Sequence, residues 1–377
     1  MKKFVALLIV LTAIVSLPVS AAAPKTSAAA VSLMEKETGT ILYENNAHAP
    51  LEPASVTKVM TLLLIMEALD SGQISKDDMV TVSAHAASMG GSQVYLEEGE
   101  QMSVNDMLKA IAVASGNDAA VAMAEYLAGS EEAFVERMNE KAKELGMTDT
   151  NFVNCTGLPA EGHHTSAHDI ALMSRELILH HPGIRDYTTI WMDTLRNGQF
   201  QLSNTNKLIY YYDGATGLKT GSTDSALYCL SATAERDGME LIAVVLGSPT
   251  STDRFEGAKA LLNYGFANYT LLDAYASQAI PPVAVTLGNQ SYIQPVISEN
   301  SKILIEKTAK SQVTTELNLA DCVEAPVEQG QKLGTITVKI NGEDYNTVDL
   351  VAPEAVGRQT IPHLFLRLVG TLFLKAS

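Results

Sequence analysis

The sequence predicts an α+β domain followed by a small all-β domain. Short strand-like runs at residues 31–34 and 40–43 precede a block of helical patterns, and two more at 226–233 and 239–247 follow it. Strands at both ends of such a region can pair into one antiparallel sheet. From about residue 275, Val, Ile and Thr dominate short stretches broken by Gly, Asn and Pro, which is typical of an all-β domain.

Helical patterns fill the interior of the first domain. Pro53 precedes an apolar-periodic run that predicts a helix over residues 54–69. Further helices are predicted at residues 104–113, 118–127, 131–145, 167–180 and 255–264. Thr165 or Ser166 is placed to cap the helix that starts at residue 167. The Arg236-Asp237-Gly238 segment suits the tight turn of a hairpin between the last two strands.

Length and composition fit this division. The chain has 377 residues, of which 46% are hydrophobic and 18% charged, as in ordinary globular proteins. We assign residues 24–272 to the α+β domain and residues 275–357 to the β-rich domain, with end segments at 1–23 and 358–377. The net charge of −17 argues against a nucleic-acid partner, because phosphate binding needs a concentrated basic surface.

The N-terminal segment has the layout of a secretory signal peptide. Lys2 and Lys3 precede an almost unbroken apolar run at residues 4–17, and small residues follow at 20–23. A membrane anchor is the alternative, but the run is shorter than the roughly 20 residues that a spanning helix needs. The sequence therefore predicts a cleaved signal peptide at residues 1–23 and a mature protein outside the cytoplasmic membrane, either secreted or on its outer face.

The C-terminal segment, residues 358–377, has the pattern of an amphipathic helix. Its apolar residues recur at helical spacing, while basic and polar residues interrupt the other side. The segment is too short and too basic to span a bilayer, but it suits a helix that lies in the membrane interface. A terminal helix that packs on its own domain would show the same pattern, so both interpretations stay open.

No metal or cofactor is predicted. The three cysteines, Cys155, Cys229 and Cys322, are widely spaced and fit no zinc pattern, and their odd number leaves at least one unpaired within the chain. His163 and His164 are adjacent, but adjacent rings seldom face one ion, and no set of carboxylates or cysteines accompanies them.

Ser55 and Lys58 stand three residues apart at the start of the first predicted helix. Since one helical turn takes 3.6 residues, both side chains project from the same face. A serine hydroxyl becomes a strong nucleophile when a base takes its proton, and a lysine can be that base if burial lowers its pKa. Taken alone, an N-capping serine beside a solvated lysine is the simpler interpretation.

Two further motifs change that interpretation. Ser115-Gly116-Asn117 falls in a break between two helical patterns, where a hydroxyl and an amide can face a cleft. Lys219-Thr220-Gly221 precedes the strand that begins near residue 226, and on an edge strand it would present a cation, a hydroxyl and unobstructed backbone. Alone, the first motif could be a helix terminator and the second an ordinary turn.

Ser-x-x-Lys, Ser-x-Asn and Lys-Thr-Gly in this order form the signature of penicillin-recognising serine enzymes. The chain resembles the low-molecular-mass penicillin-binding proteins, in particular serine-type D-alanyl-D-alanine carboxypeptidases of the penicillin-binding protein 5 kind. The resemblance covers nearly the whole length and includes residues 52–58, 114–118, 154–159, 166–169, 217–221 and 244–255. It implies the transpeptidase fold shared with serine β-lactamases, followed by a small all-β domain and an amphipathic C-terminal helix for membrane association.

The resemblance also implies roles for individual residues. Ser55 would attack the carbonyl of the penultimate D-alanine of a peptidoglycan stem peptide, and Lys58 would take its proton. Ser115 and Lys219 would assist proton transfer to the leaving amine, and Asn117 would hold the substrate's peptide amide. β-Lactam antibiotics would acylate the same serine.

The remaining implied roles concern substrate binding. The backbone amides of Ser55 and Ser222 would form the oxyanion hole. The substrate-binding residues would be Thr220, Gly221, Ser222 and Arg254. Arg254 matches an arginine just ahead of the last helix of this domain in the family, and its planar fork suits a terminal carboxylate.

Some features depart from the family pattern and leave alternatives open. Ser222 is a histidine in some members, residues 154–158 replace a Pro-His pair seen in some relatives, and Cys229 could place a thiol near the cleft. A class A β-lactamase would need a Glu-x-x-x-Asn segment between Asn117 and Lys219, and we find no clear one. A D,D-endopeptidase and a catalytically silent penicillin sensor remain further alternatives.

Overall fold

The computed structural model describes residues 23–273, 275, 279–298 and 302–360. Nearly all of the predicted signal peptide (1–23) and of the predicted amphipathic helix (358–377) lies outside these residues. Within the part of the chain that is described, no helix is long and apolar enough to cross a membrane.

The first domain is built on one antiparallel sheet. Its strands are β1 (Ala30–Glu35), β2 (Ile41–Asn45), β3 (Met79–Thr81), β4 (Gln101–Ser103), β5 (Met192–Leu195), β6 (Phe200–Ser203), β7 (Ala215–Thr223), β8 (Leu227–Arg236) and β9 (Met239–Ser248). Five of them form the sheet in the order β2–β1–β9–β8–β7. Strands β3 and β4, and likewise β5 and β6, form separate small hairpins. Strand β7 is therefore an edge strand.

Helices occupy the chain between β2 and β7 and close the domain after β9. They are α1 (Lys58–Asp70), α2 (Ala84–Ala87), α3 (Val104–Ala112), α4 (Asn117–Ala128), α5 (Glu131–Glu144), α6 (Ala167–His180), α7 (Arg185–Thr188), α8 (Leu208–Tyr211) and α9 (Ser251–Asn268). A 3-10 turn, Ala54–Thr57, leads directly into α1. The apolar pattern of α4 leaves residues 119–124 no more than 1% exposed, so this helix lies inside the helical block.

The sheet separates two hydrophobic cores. Ile242 and Val244 of β9 belong to the core that contains the helical block, whereas Leu241 and Val245 belong to the core formed with α9. Since successive side chains of a strand point to opposite faces, β9 is buried on both sides. This explains why its sequence is an unbroken apolar run rather than an alternating one.

The rest of the described chain is a set of small sheets. Its strands are β10 (Tyr269–Asp273), β11 (Val283–Thr286), β12 (Tyr292–Ile293), β13 (Val296–Ile297), β14 (Lys302–Glu306), β15 (Val313–Leu319), β16 (Cys322–Glu324), β17 (Lys332–Ile340) and β18 (Glu343–Val351). They pair as β10–β14, β12–β11–β16 and β13–β18–β17–β15. The α+β domain and the following all-β domain predicted from the sequence are thus confirmed.

One predicted helix is present but starts earlier than the sequence pattern indicated. The sequence pattern suggested residues 255–264, but α9 begins at Ser251 because the Thr250 hydroxyl accepts a hydrogen bond from the Asp253 amide (3.1 Å). Arg254 therefore lies in the first turn of α9 and not just ahead of it. The N-terminal cap was missed because the first residues of this helix are polar. They therefore do not extend the repeat of apolar residues from which the helix was predicted.

Candidate active site

The candidate nucleophile lies at a junction between a 3-10 turn and a helix. Ser55 is half-buried in the turn, and Lys58 is the first residue of α1. The Lys58 Nζ lies 3.0 Å from the Ser55 Oγ. The predicted same-face arrangement is therefore present as a direct hydrogen bond, and the Ser55 hydroxyl is within reach of a base.

Lys58 is fully buried among polar partners. Besides Ser55, its Nζ donates to the Asn117 Oδ1 (2.6 Å) and to the Thr156 carbonyl oxygen (2.7 Å). Burial penalises the charged form and lowers the pKa of Lys58 to about 7. A large fraction of this lysine is therefore neutral near neutral pH and can accept a proton from the serine.

The second motif lies in the turn between α3 and α4. Ser115 has a left-handed backbone (φ 66°) and is buried, and its Oγ has no hydrogen-bond partner among the residues described. Asn117 begins α4, and its Nδ2 donates to the Gly90 carbonyl (2.6 Å) while its Oδ1 accepts from Lys58. The turn thus supplies an oriented amide and a hydroxyl with free hydrogen-bonding capacity.

Asp118 anchors the segment around residues 94–96 by hydrogen bonds to its backbone. The sequence patterns did not reveal this role. Its carboxylate accepts hydrogen bonds from the backbone amides of Val94 (3.0 Å), Leu96 (3.0 Å) and Ala119 (2.9 Å). The segment so anchored also includes Gly90, the partner of Asn117. An acid directly after the Asn of the motif was the available signal in the sequence.

The third motif lies in the middle of the edge strand β7. A Cβ added to Gly221 would come within 2.7 Å of the Pro53 carbonyl oxygen and 2.8 Å of the Ser55 amide nitrogen. Glycine is needed here because the strand backbone packs directly against the turn that carries the nucleophile. The Thr220 hydroxyl donates to the Thr205 hydroxyl (2.7 Å), which fixes its rotamer.

Lys219, on the same strand, is the second buried lysine. Its Nζ donates to the Thr220 carbonyl oxygen at 3.0 Å. Burial lowers the pKa of Lys219 well below its ordinary value, and the nearby charges of Lys58 and Arg254 lower it further. Three basic side chains therefore share this region, and an anionic substrate group would stabilise their protonated forms.

Arg254 reaches the motif strand from behind. Its Nη1 donates to the Gly221 carbonyl (3.0 Å), and its Nε has no hydrogen-bond partner among the described residues. The guanidinium lies over the rings of Tyr228 and Phe255 at 5.4 and 4.8 Å. Ser222, the residue after the motif, is exposed at the end of the strand. Strand β7 thus carries the accessible hydroxyl of Ser222, and the Arg254 guanidinium is fixed against its Gly221 carbonyl.

His163 supports the nucleophile turn from inside the domain. Its Nδ1 accepts a hydrogen bond from the Val153 amide (3.0 Å), which places the proton on Nε2 and lets it donate to the Thr57 hydroxyl (2.8 Å). Burial lowers the pKa of His163 to about 4. His164 instead contacts the Gly162 carbonyl, so the two adjacent rings have different partners. Only the fold distinguishes them.

Cys229 lies beside the motif strand but not in the cleft. It is fully buried, and its thiol donates to the Ala226 carbonyl oxygen (3.4 Å). Burial raises the pKa of Cys229 to about 11, so the thiol stays protonated at neutral pH. All three cysteines are unpaired, with Cys155 also buried and Cys322 exposed.

Two family models match the chain, each over one domain. The one described as D-alanyl-D-alanine carboxypeptidase (Peptidase_S11) matches residues 18–250, and the one described as penicillin-binding protein 5, C-terminal domain, matches residues 274–358. The chain is 48% identical over 316 residues to D-alanyl-D-alanine carboxypeptidase DacF of Bacillus subtilis (strain 168), which covers 82% of this chain and 81% of that protein.

Solved structures give the same result. Penicillin-binding protein 5 from Haemophilus influenzae superposes with a TM-score of 0.78 at 31% identity, over 90% of this chain and all of that one. The ampicillin-bound form of penicillin-binding protein D2 from Listeria monocytogenes has a TM-score of 0.59 at 35% identity and covers 64% of this chain and 98% of that one.

Proposed function

The chain belongs to the Peptidase_S11 family of serine hydrolases and is a D-alanyl-D-alanine carboxypeptidase, and from this premise we propose that it works through an acyl-enzyme on Ser55. The observation that carries the proposal is the 3.0 Å hydrogen bond between the Ser55 Oγ and a buried lysine with a pKa of about 7. The substrate is a peptidoglycan stem peptide that ends in D-Ala-D-Ala.

In the proposed acylation, neutral Lys58 takes the proton of Ser55, and the Ser55 Oγ attacks the carbonyl carbon of the penultimate D-alanine. The bond to the terminal D-alanine nitrogen then breaks, and that nitrogen leaves as an amine after it receives a proton. An ester on Ser55 remains, and water hydrolyses it to release the shortened peptide. The backbone amides of Ser55 and Ser222 stabilise the negative charge that develops on the carbonyl oxygen.

Ser115 and Lys219 are proposed to carry the proton to the leaving amine. The Ser115 hydroxyl is buried and has no partner among the described residues, so it is free to bond to a substrate nitrogen. The lowered pKa of Lys219 makes a proton transfer within the site energetically accessible. Asn117, held by Gly90 and Lys58, binds the substrate's peptide amide.

The free carboxylate of the terminal D-alanine is proposed to bind at the end of strand β7. Thr220, Gly221, Ser222 and Arg254 form this subsite. The Ser222 hydroxyl donates to the carboxylate, as does the Thr220 hydroxyl once it gives up its hydrogen bond to Thr205. The Arg254 guanidinium adds positive charge behind the Gly221 backbone. A requirement for this carboxylate explains a preference for chain ends.

β-Lactams are proposed to acylate Ser55 as substrate analogues. The ampicillin-bound relative from Listeria supports this proposal, because the matched fold accommodates that class of ligand. We further propose that residues 1–23 are a signal peptide and that residues 358–377 attach the enzyme to the outer face of the membrane. Residues 24–272 are then the peptidase domain, and residues 275–357 the β-rich domain.

The test is release of D-alanine from diacetyl-Lys-D-Ala-D-Ala, together with covalent labelling by a fluorescent penicillin. The wild-type protein should release D-alanine and become labelled, and Ser55→Ala should do neither while keeping its melting temperature. Labelling without release would indicate a silent penicillin sensor, and rapid nitrocefin turnover without release a β-lactamase. Digestion of cross-linked muropeptides followed by mass analysis distinguishes an endopeptidase.

A further inference from the structure

A cluster of histidine and carboxylate side chains lies outside the residues assigned to the active site. Glu44 is on β2, His48 follows that strand, Asp149 follows α5, and His168 is in the first turn of α6. Each histidine is paired with a carboxylate. The His48 Nδ1 lies 2.7 Å from the Asp149 Oδ2, and the His168 Nδ1 lies 2.8 Å from the Glu44 Oε1.

The two imidazoles are also close to each other. Their ring centroids are 4.5 Å apart, with 29° between the ring planes. Two imidazoles that bind one tetrahedral ion at about 2.1 Å from each nitrogen hold their centroids roughly 5.3 Å apart, so the present spacing is about 0.8 Å shorter. One potential ligand atom each from Glu44, His48 and His168 already lie within 4.8 Å of one another. Binding of one ion by all three would require the two stacked rings to turn a nitrogen of each toward it.

The surroundings of the cluster favour a cation. Asp149 is placed to accept the ring N–H of His48, which leaves the other ring nitrogen as a lone pair for a metal. The Asp149 amide donates in turn to the Asp169 carboxylate (2.8 Å), so a third acid lies nearby. The Ser32 hydroxyl donates to the Glu44 Oε1 at 3.2 Å, and the His168 amide donates to the Ala47 carbonyl at 3.0 Å. These bonds hold two of the ligands on regular elements.

A second group in the described part of the chain, Glu67, Glu176 and His181, meets the same distance criterion. It offers a single imidazole, whereas the first group offers two. Paired imidazoles with a carboxylate are the donor set that transition-metal ions prefer, whereas one imidazole among acids is weaker. The first group, with its two imidazoles, is therefore the better candidate for a metal site.

We propose that Glu44, His48 and His168 form a binding site for a divalent transition-metal ion such as Zn²⁺, with Asp149 orienting His48. The sequence alone predicted no metal, because these ligands lie 124 residues apart along the chain. The ion would join β2, the segment after it and the start of α6. It would thereby stabilise the domain without contacting the catalytic residues.

The test is calorimetric titration of the purified protein with ZnCl₂. One equivalent should bind, and both His48→Ala and His168→Ala should weaken that binding at least tenfold. Zn²⁺ at a hundred times its Kd should raise the melting temperature by about 5 °C or more in the wild type and not in these variants. With Cu²⁺ as the probe, paramagnetic resonance should show two coordinated nitrogens.

Two matched controls keep the outcome clear. His85→Ala removes an exposed histidine that is paired with Glu131 (3.1 Å) and belongs to neither group, so it should leave the titration unchanged. His181→Ala should also leave it unchanged. Loss of binding in His181→Ala, or unchanged binding in both His48→Ala and His168→Ala, would overturn the proposal, as would the absence of a saturable equivalent. D-alanine release should persist in the two ligand variants, which shows that they remain folded.

Discussion

Gly157 lies directly against the carbonyl of Ala54, the residue before the candidate nucleophile. A Cβ on Gly157 would be 1.8 Å from the Ala54 carbonyl oxygen, and the Gly157 backbone is left-handed with φ 81°. Ala54 is itself left-handed (φ 48°), so the turn that presents Ser55 is both strained and tightly packed. The neighbouring Thr156 carbonyl accepts from Lys58, so the same segment also positions the base.

Gly157→Ala should therefore disable acylation. The added methyl group has to displace either the Ala54 backbone or the Thr156 segment, and we expect the rate of fluorescent-penicillin labelling to fall at least 100-fold. Gly162→Ala is the control, because Gly162 has nearly the same φ (82°) but its nearest neighbour to an added Cβ is 3.7 Å away. It should cost only about 1 kcal/mol of stability and leave labelling intact. Equal effects of the two substitutions would contradict the steric explanation.

The activity should depend on pH through Lys58. Its neutral form is the base, and its pKa is about 7, so kcat/KM for D-alanine release should rise about tenfold per pH unit below 7 and level off above it. Lys58→Arg keeps the charge but cannot deprotonate, and it should lower kcat/KM at least 1000-fold at every pH. A pH profile that stays flat between pH 5 and 8 would count against Lys58 as the base.

His163 should make the fold sensitive to acid. Its pKa is lowered to about 4 by burial, below its ordinary value near 6.5, so the unfolded chain binds the proton more readily than the folded one. Stability from this group is complete above about pH 6.5 and is lost as the pH falls toward 4. We expect a decrease of up to about 3 kcal/mol in the free energy of unfolding over that range.

Urea denaturation at several pH values measures this effect. His163→Gln should reduce the slope between pH 6.5 and 4, because glutamine does not titrate in this range. His164→Gln removes the adjacent ring, whose charge makes a smaller contribution to the lowered pKa of His163, so it is the matched control and should keep most of the wild-type slope. An unchanged slope in His163→Gln would assign the acid sensitivity to other groups.

Asp118→Asn should loosen the segment around residues 94–96, which the Asp118 carboxylate anchors. An amide in place of the carboxylate turns one acceptor into a donor that faces backbone N–H groups, so we expect a loss of about 2–3 kcal/mol of stability. Because Asn117 is adjacent, kcat should fall as well. Asp253→Asn, at the exposed start of α9, should cost less than about 1 kcal/mol and leave kcat unchanged. Thermal unfolding and D-alanine release measure both variants.

Deletion of residues 358–377 should move the enzyme from the membrane fraction to the soluble fraction of lysed cells. The expected cause is loss of the apolar face of the proposed interfacial helix. Activity on the soluble peptide should be retained, because the described part of this segment bonds to Leu287 and Glu324 of the β-rich domain. Replacement of Leu364 and Leu368 by Asp in the full chain is the second variant and should have the same effect. Persistent membrane association of both would place the anchor elsewhere.

The sequence determined by itself what depends on short spacing and on the order of motifs. The Ser55–Lys58 hydrogen bond follows from a spacing of about one helical turn. The Arg236-Asp237-Gly238 turn between β8 and β9 follows from residues that tolerate left-handed backbone, with φ 50° at Asp237 and 75° at Gly238. The α+β class followed from the positions of segments whose apolar residues recur every two residues, as in strands, or every 3.6 residues, as in helices. Three motifs in one order were specific enough to identify the family.

Only the tertiary structure decided what depends on contacts between distant segments. Thr156 reaches Lys58 across 98 residues, and His163 reaches Thr57 across 106. Adjacent His163 and His164 look equivalent in the sequence, but one is buried against the nucleophile turn and the other bonds a neighbouring carbonyl. The glycines at 157 and 221 are required because another backbone lies against each. Local sequence patterns do not show which distant residues will lie side by side, because those contacts form only when the chain folds.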